Sequence, residues 1–377
     1  MFWKECRGLA GAGYDVVLLT ADRPARDGIV HVEAVRHPSN RFTRFTVTAA
    51  RLFLAALRTR GDLFHAHDPE LLPCLQLLRL LGHKVIFDMH ENTPKALVTK
   101  EWLPRIWQPL VARCYLWLER VLLTGIPVVF AEDSYVCDYQ WIKTAAVVRN
   151  FPILSDVWAA AGDDEADRFT LIYCGAISVA RGSISCIEAV AECRRRGLNV
   201  CLELIGSITG SHRQELTHLI ESRQLADVVS LRDPVEPPRA WHSISRAHIG
   251  LALLHAEPNY VGSIPTKLLE YMALGKAVVA SHFPLYRHIV EGNRCGFCVD
   301  PQSVADVADA LERLVQSPDL RRSQGLKGRE AAQREFDWAS EIDTLTSFYA
   351  EVLRARADAS VPRRAEAPVV DSAKRPR

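Results

Sequence analysis

Residues 264–301 read IPTKLLEYMALGKAVVASHFPLYRHIVEGNRCGFCVDP, the stretch of this chain with the strongest pattern of secondary structure. The helical pattern PTKLLEYMALG leads into AVVASHF, which is typical of a buried strand, and GFCVDP is typical of another strand. β-Branched runs that alternate with helices indicate a parallel sheet with helices on both faces. The stretch therefore predicts an α/β fold.

The same alternation extends through the rest of the chain. Toward the N-terminus, FTLIYCGAIS, VCLELIGS, VVSLRDPV and IGLALLHAE predict strands, with helices over residues 185–196 and 212–223. Earlier still, YDVVLLT, IVHVEAV, DLFHAHD and KVIFDMH predict strands, with a helix over residues 45–60 and another through Leu81. The polar residues 160–168 separate the two series. We therefore predict two doubly wound domains, with ligands bound at the carboxyl ends of their strands.

Length and composition limit the classes of function. A chain of 377 residues is long enough for two domains of ordinary size. Its 46 basic and 45 acidic residues leave no excess positive charge, so no nucleic-acid partner is expected. No stretch reaches the roughly 18 apolar residues that span a bilayer, and the N-terminus has no signal-peptide pattern. The ten cysteines show no evident zinc spacing, and we expect them to be buried in a cytoplasmic protein.

The start of the helix in residues 264–301 is a candidate anion site. Ser263 is the expected N-cap, and Pro265 suits the first helical position. The free N–H groups and positive dipole end of a helix start suit a diphosphate, and Lys267 adds a full charge in the first turn. Glu270 lies one turn beyond Thr266 and can accept hydrogen bonds from ribose hydroxyls. An ordinary solvated helix surface explains Lys267 and Glu270 equally well at this stage.

A glycine turn follows the strand FTLIYC. Gly175 ends the strand, and Arg181 and Gly182 precede the next predicted helix. Glycine lets a backbone approach a phosphate, and a basic side chain neutralises the charge of the phosphate. Glycine turns and single surface arginines are also common in α/β proteins, so this pattern alone is weak.

Histidines and carboxylates end two predicted strands of the first series. HAHDPELLP contains His65, His67 and Asp68, and FDMHENTP contains His90 and Glu91. His65 and His67 project to the same side of a strand, so one of them can be a purely structural residue. A metal site is the alternative, but no histidine pair has the i, i+4 spacing of a helical metal motif. We therefore predict no metal here.

The stretch PTKLLEYMALGKAVVAS, followed by FPLYRHIVEGNRCGFCVDP, resembles the donor-binding core of the group 1 (family 4) glycosyltransferases, which are retaining enzymes of the GT-B fold. HAHDPELLP and the D-x-HE pattern resemble the first domain of a subgroup of that family, and FDWASEIDTLTSFYAEVL resembles its closing helix. The resemblance implies two Rossmann-like domains that face each other across a cleft. The implied parts are an acceptor-side domain at 1–158, a nucleotide-sugar domain at 159–335 and a helix at 336–354 that crosses back; composition predicts a disordered tail at 355–377.

The resemblance also implies roles for individual residues. Glu270 would contact the nucleotide ribose, and Pro265, Thr266 and Lys267 would face the diphosphate. The other residues with implied roles are Gly175, Arg181 and Gly182 at the diphosphate, His90 beside the transferred sugar, and His67, Asp68 and Glu91 on the acceptor side. His90, Lys267 and Arg181 would be the catalytic residues. No metal or cofactor is implied besides the nucleoside diphosphate sugar, which is a co-substrate.

The chain departs from the family pattern at three places. Gly262 stands where the family commonly has an acid, eight residues before Glu270, and Ala176 replaces an arginine beside the first glycine. The chain also begins at a helix, FWKECRGLAGAG, where family members begin with a strand and a glycine-containing loop. The first strand of the domain would then be missing. A start codon assigned too late and a damaged or repurposed copy are the two explanations.

The predicted function is transfer of a hexosyl group from a nucleoside diphosphate sugar to a hydroxyl of a glycan or lipid-linked acceptor, in synthesis of bacterial surface polysaccharide such as lipopolysaccharide. The main alternative is an inactive relative that acts as a binding or scaffold protein, and a GT-B sugar-nucleotide epimerase is a third hypothesis. LPRIWQPLVARCYLWLERVLL, residues 103–123, has a composition typical of a helix on an anionic bilayer, and core packing explains it equally well. The first explanation would place the protein at the inner face of the cytoplasmic membrane.

Overall fold

The computed structural model describes residues 2–21, 28–35, 43–98, 104, 106–162 and 166–354. The tail predicted at 355–377 lies outside the described residues. The strands are β1 Val17–Thr20, β2 His31–Ala34, β3 Leu63–Ala66, β4 Lys84–Met89, β5 Val128–Phe130, β6 Ala145–Val147, β7 Thr170–Cys174, β8 Cys201–Ile205, β9 Val229–Arg232, β10 Ile249–Ala252, β11 Ala277–Ser281 and β12 Gly296–Val299.

Helices connect nearly all of these strands. They are α1 Phe2–Gly11, α2 Ala49–Thr59, α3 Leu72–Leu80, α4 Thr93–Leu97, α5 Gln108–Leu122, α6 Asp133–Asp138, α7 Leu154–Ala159, α8 Ser183–Arg195, α9 Gly210–Ser222, α10 Pro237–Arg246, α11 Thr266–Ala273, α12 Pro284–Val290, α13 Val304–Gln316, α14 Pro318–Glu335 and α15 Trp338–Arg354. A π-helical turn, Arg44–Thr48, precedes α2, and short 3-10 turns at Pro69–Leu71 and Val179–Arg181 precede α3 and α8.

The second half of the chain contains one six-stranded parallel sheet. Its strand order is β12-β11-β10-β7-β8-β9. β7, β10 and β11 are buried along their whole length, which is why their sequences are continuously apolar. Hydrophobic clusters cover both faces of this sheet. The strand order reverses between β7 and β10, so the crevice for a ligand lies at the carboxyl ends of these two strands.

The first half contains two groups of parallel strands. β3, β4, β5 and β6 form a four-stranded sheet, and β1 pairs with β2 alone. One face of the larger sheet packs on α2, α3 and α6, and the other face packs on the last helix, α15. There Leu345 and Tyr349 pack in one cluster with Ile86 of β4. The C-terminal helix is therefore part of the core of the first half.

Three features differ from the sequence predictions. The helix predicted over 45–60 begins as a π-helical turn, and regular α-helix starts only at Ala49. Strands β5 and β6 were not predicted, because three-residue strands give little periodicity, and helix α10 was not predicted, because the two prolines at its start are typical of a loop. Five of the ten cysteines are buried as expected, but Cys114 and Cys137 are exposed, because they lie on the outer sides of α5 and α6.

Within the described residues, no helix combines the length and the apolar character needed to cross a bilayer.

Candidate functional site

Glycines shape the carboxyl ends of β7 and β8. Gly175, directly after β7, has φ of 124°, and Gly206, directly after β8, has φ of 157°. A Cβ atom on Gly206 would lie 1.7 Å from the carbonyl oxygen of Gly175, so no side chain fits between these turns. The backbone at Gly175 is itself exposed. A ligand can therefore approach the main chain closely at this position.

Arg181 and Gly182 lie at the point where the strand order reverses. Gly182 has φ of 80°, and a Cβ atom there would lie 1.9 Å from the carbonyl oxygen of Leu253, just after β10. Glycine thus lets the start of α8 pack against the end of β10. The guanidinium carbon of Arg181 lies 5.3 Å from the centre of the Tyr260 ring, a distance that permits a cation–π contact. This contact holds the Arg181 charge beside the crevice.

The start of α11 differs from the sequence prediction by one residue. Pro265, expected at the first helical position, is the N-cap, with φ of −70° and an extended ψ of 126°, and the helix begins at Thr266. Ser263 is therefore not the N-cap. Because proline carries no side-chain acceptor, no side chain caps the first turn. The N–H of Ile264 donates to Glu132 Oε2 at 3.3 Å, which ties the loop before α11 to the first half of the chain.

Lys267 is buried in the first turn of α11. The residue is only 6% exposed, and Nζ lies 3.4 Å from the centre of the Tyr173 ring. Among the described residues, nothing accepts a hydrogen bond from Nζ. Burial, and then the charge of Arg181, lowers the pKa of Lys267 to about 7. The solvated-surface interpretation is wrong for this residue, because α11 packs this side chain against β7, toward the turn at Gly175.

Glu270 lies one turn further along α11 and is held by a tryptophan. Trp241 Nε1 of α10 donates to Glu270 Oε1 at 2.9 Å. Burial raises the pKa of Glu270, whereas Trp241 and the positive charges of Lys4 and Lys267 lower it. The sequence patterns missed both Trp241 and Lys4. Trp241 lies in the helix that was not predicted, and Lys4 comes close only because α1 folds over the junction of the two halves.

Lys4 marks that junction. Its ammonium donates to Asn150 Oδ1 at 2.7 Å and to the carbonyl oxygen of Phe151, and it lies 4.8 Å from the centre of the Trp338 ring. The side chain thus joins α1 to the segment that leaves β6 and to the start of α15. Burial lowers the pKa of Lys4 to about 8.

The first half contains a buried cluster of imidazoles and carboxylates, formed by Glu5, His65, His67, Asp88 and His90. His67 Nδ1 lies 2.8 Å from His90 Nε2, and the two rings stack at 5.0 Å. Asp88 lies beneath them, with its carboxylate oxygens 3.4 Å from His90 Nε2 and 3.6 Å from His67 Nδ1. Glu5 Oε2 approaches His67 Nε2 at 3.5 Å from the side of α1. The structure therefore brings His67 and His90 together.

The pKa values in this cluster follow from burial and from mutual charge. Burial, followed by the nearby Asp88, raises the pKa of Glu5 to about 7. Burial alone would raise the pKa of Asp88, but the three imidazoles lower it below its usual value. Burial and the neighbouring His65 lower the pKa of His67 to about 3, and burial also lowers the pKa of His90. The imidazoles of His67 and His90 are therefore neutral beside an ionised Asp88 at neutral pH.

Asp68 and Glu91 occupy different positions from His67 and His90. Both are exposed, Asp68 just after β3 and Glu91 just after β4. The carbonyl oxygen of Asp68 accepts a hydrogen bond from Leu71 in the 3-10 turn. Neither carboxylate belongs to the buried cluster, because the chain turns outward directly after each strand.

Two family models match the chain. The model described as "Glycosyl transferases group 1" matches residues 157–331, and the "Glycosyl transferase 4-like domain" matches residues 2–135. Among curated proteins, the D-inositol 3-phosphate glycosyltransferase of Paenarthrobacter aurescens (strain TC1) is 29% identical over 189 residues, 50% of this chain and 45% of that protein. The chain spans about half the length of the curated relatives it matches.

Solved structures share the fold over nearly the whole chain. Sucrose-phosphate synthase from Thermosynechococcus elongatus aligns with a TM-score of 0.73 at 19% identity, covering 93% of this chain and 92% of that one. Anabaena Alr3699/HepE in complex with UDP-glucose aligns with a TM-score of 0.70 at 14% identity, covering 93% and 94%. The predicted GT-B fold is thereby confirmed. With a group 1 model on its second half and a family 4-like model on its first, the chain belongs to the group 1 glycosyl transferases.

Proposed function

We propose that this protein transfers a hexosyl group from a nucleoside diphosphate sugar to a hydroxyl of a glycan or lipid-linked acceptor, with retention of configuration, in the synthesis of bacterial surface polysaccharide such as lipopolysaccharide. The binding of the donor is supported chiefly by the buried ammonium of Lys267. A buried ammonium without a hydrogen-bond acceptor is unfavourable unless an anion joins it. The family to which the chain belongs, and the UDP-glucose bound to the HepE structure, support a sugar nucleotide as that anion.

Three positive groups surround the proposed diphosphate position. They are the ammonium of Lys267 beside the turn at Gly175, the uncapped N-terminus of α11 that carries this lysine, and the guanidinium of Arg181, whose charge acts on Lys267. A fixed positive environment stabilises the charge that develops on a departing diphosphate, and it is most effective where water is excluded. A lysine whose pKa is about 7 becomes fully charged when the anion arrives, because a nearby negative charge favours the protonated form. Gly182 keeps Arg181 in this arrangement.

The remaining residues have proposed roles in orientation. Glu270, which Trp241 holds in place, would accept hydrogen bonds from the ribose hydroxyls. His90 would contact the transferred sugar, with His67 beside it. Asp68 and Glu91, exposed at the ends of neighbouring strands, would contact the acceptor. The similarity to D-inositol 3-phosphate glycosyltransferase supports a hydroxyl as the acceptor group.

The donor site can be tested by thermal stability with UDP, GDP, ADP and dTDP, because a ligand that binds only the folded state raises the melting temperature. We expect one nucleotide to raise it, and we expect Lys267→Met and Glu270→Ala to reduce that shift. Lys327→Met, which alters an exposed lysine of α14, is the control and should keep the full shift. A shift that both site variants retain would refute the proposed donor site. A folded protein that no nucleotide stabilises would favour the inactive-relative hypothesis.

We further propose that α5 lies on an anionic lipid surface, which would bring the enzyme to a lipid-linked acceptor. Ala112 and Glu119 are the buried residues of this helix and mark the side that packs on the protein. The opposite side, which we call the outer face of α5, consists of Leu110, Arg113, Trp117, Leu118 and Val121, all exposed, with Trp117 69% exposed. An apolar surface with a tryptophan and an arginine matches helices that rest in the headgroup region of an anionic bilayer.

Vesicle sedimentation tests this proposal. We expect the protein to sediment with vesicles of phosphatidylcholine and phosphatidylglycerol, and much less with phosphatidylcholine alone, because Arg113 needs anionic headgroups. The double variant Leu110→Ser and Trp117→Ser should lose the binding. Leu326→Ser on α14, which is also an exposed leucine, is the control. Equal sedimentation of the double variant and the wild type would refute the assignment of this face.

A further inference from the structure

We propose that Glu5, His67, Asp88 and His90 form a binding site for a divalent cation of the zinc class. This group of four includes every member of the buried cluster except His65. Each residue offers one ligand atom, and the four atoms all lie within 4.8 Å of one another. The sequence predicted no metal, because no histidine pair has helical spacing. The site is instead assembled from α1 and the ends of β3 and β4, which no local pattern reveals.

The distances among the ligand atoms of His67, Asp88 and His90 are close to those of tetrahedral coordination, and Glu5 lies within 4.8 Å of them. Bonds of about 2.1 Å from zinc to nitrogen and oxygen imply ligand atoms about 3.4 Å apart. His90 Nε2 lies 3.4 Å from Asp88 Oδ1, and His67 Nδ1 lies 3.6 Å from Asp88 Oδ2. His67 Nδ1 and His90 Nε2 are 2.8 Å apart, so the two rings need to separate by only about 0.6 Å to reach that spacing. A cation between the two imidazoles and Asp88 thus fits the present positions of these side chains after a small separation of the two rings.

The two carboxylates are buried, and imidazole nitrogens approach their oxygens only to 3.4–3.6 Å. Glu5 is 2% exposed and Asp88 is 0% exposed, and among the described residues no group donates a hydrogen bond to their four oxygens. Lys4, the neighbour of Glu5 in sequence, donates to Asn150 and Phe151 instead. Two buried carboxylates side by side are unfavourable unless a positive charge joins them. A divalent cation supplies that charge, and a mixed set of nitrogen and oxygen ligands favours zinc over magnesium, calcium or copper(I).

Residues around the four ligands hold them in position. His65 Nε2 lies 3.5 Å from Asp88 Oδ2, and His65 Nδ1 lies 2.6 Å from the hydroxyl of Tyr349 in α15. Such outer contacts orient ligating carboxylates, and their loss typically weakens metal binding by about 10–100-fold. His67 and His90 keep part of their side chains exposed, which leaves an entry path for an ion.

The experiment uses the full chain after dialysis against EDTA, titrated with Zn²⁺ by calorimetry and with Co²⁺ by absorption. We expect one equivalent of each ion, with the strong visible absorption of tetrahedral Co²⁺ and no thiolate charge-transfer band in the near ultraviolet. That band would reveal binding to the cysteines. His67→Gln and His90→Gln should abolish binding, and His65→Gln should weaken it by about 10–100-fold. His31→Gln, which alters an exposed histidine of β2, is the control and should bind normally.

Three results would overturn the proposal. They are absence of binding by a folded protein, binding that His67→Gln and His90→Gln both retain, and a thiolate band that shows cysteine ligands. Circular dichroism of each variant establishes that it is folded. Because the donor nucleotide binds in the other half, the nucleotide melting shift remains an independent measurement. Failure of the metal site is thereby separable from failure of the proposed transferase function.

Discussion

Replacing Lys267 with methionine should stabilise the free protein and disable its donor site. Methionine has nearly the same length and fills the space against Tyr173 without a charge. In the wild type, folding buries an ammonium that has no hydrogen-bond acceptor among the described residues. The substitution removes this unfavourable burial, and it also removes the group that we propose binds the diphosphate. Higher stability together with lost ligand binding is the result expected of a functional residue that folding does not require.

The magnitude and the pH dependence follow from the pKa of Lys267. A decrease from 10.5 to about 7 corresponds to at most about 5 kcal/mol. Replacing a buried charge with an apolar side chain typically stabilises a protein by about 1–4 kcal/mol, and we expect a gain in this range. Between pH 7 and 10.5 the unfolded chain keeps the lysine proton that the folded protein has lost. Wild-type stability should therefore rise with pH across this window, and the gain from Lys267→Met should be greatest below pH 7.

The assay is urea unfolding of the free protein at pH 6, 7, 8 and 9, with the nucleotide melting shift measured in parallel. Lys327→Met, which removes an exposed lysine, should change the free energy of unfolding by less than about 0.5 kcal/mol at every pH. The reasoning would be refuted if Lys267→Met were less stable than the wild type at pH 6. It would also be refuted if the difference between the two proteins grew with pH.

Three further predictions concern Gly182 and Trp241 in the second half and the buried carboxyl group of Glu119 in α5. Gly182→Ala should lower the free energy of unfolding by more than about 2 kcal/mol in urea unfolding, because φ is 80° and the new Cβ would meet a carbonyl oxygen at 1.9 Å, whereas Gly210→Ala, in open space, should have little effect. Trp241→Phe should weaken nucleotide binding about fivefold in a calorimetric titration, because Glu270 loses a hydrogen bond. Burial raises the pKa of Glu119 from 4.5 to about 7, so wild-type stability is full below pH 4.5 and decreases as pH rises to 7. Urea unfolding should therefore find Glu119→Gln more stable than the wild type by up to about 3 kcal/mol at pH 8 and equally stable near pH 4.5.

Much of the second half was predictable from sequence. Its central strands β7, β10 and β11 are buried on both faces, so each of them is a continuous apolar run that stands out from the helices. Parallel strands place their carboxyl ends at one edge of the sheet, so Gly175 and the segment before Lys267 were expected to meet. The burial of Lys267 was not predictable. It depends on how α11 packs on Tyr173, and the local sequence is compatible with an exposed lysine as well.

The first half was harder to predict for a physical reason. His67 and His90 end adjacent strands, so their proximity followed from parallel pairing. Glu5 lies on α1, far away in sequence, and reaches the histidines only through the packing of that helix. Tyr349 comes from the other end of the chain and meets His65 because α15 belongs to the core of the first half. Long-range contacts of this kind leave no periodicity in a single sequence.

The two sites are complementary in charge, and this leads to a last prediction. The second half buries a cation that lacks an acceptor, and the first half buries carboxylates that lack a donor among the described residues. A nucleotide should therefore stabilise the protein through one site and Zn²⁺ through the other, each by the amount that its concentration and affinity set. Lys4 is the described group whose charge acts on both Glu5 and Glu270. If Lys4 transmits no coupling, the increase in the free energy of unfolding with both ligands present should equal the sum of the increases with the nucleotide alone and with Zn²⁺ alone. In urea unfolding, this sum should hold within about 0.5 kcal/mol. A larger deviation that disappears in Lys4→Met would show instead that the ligands communicate through α1.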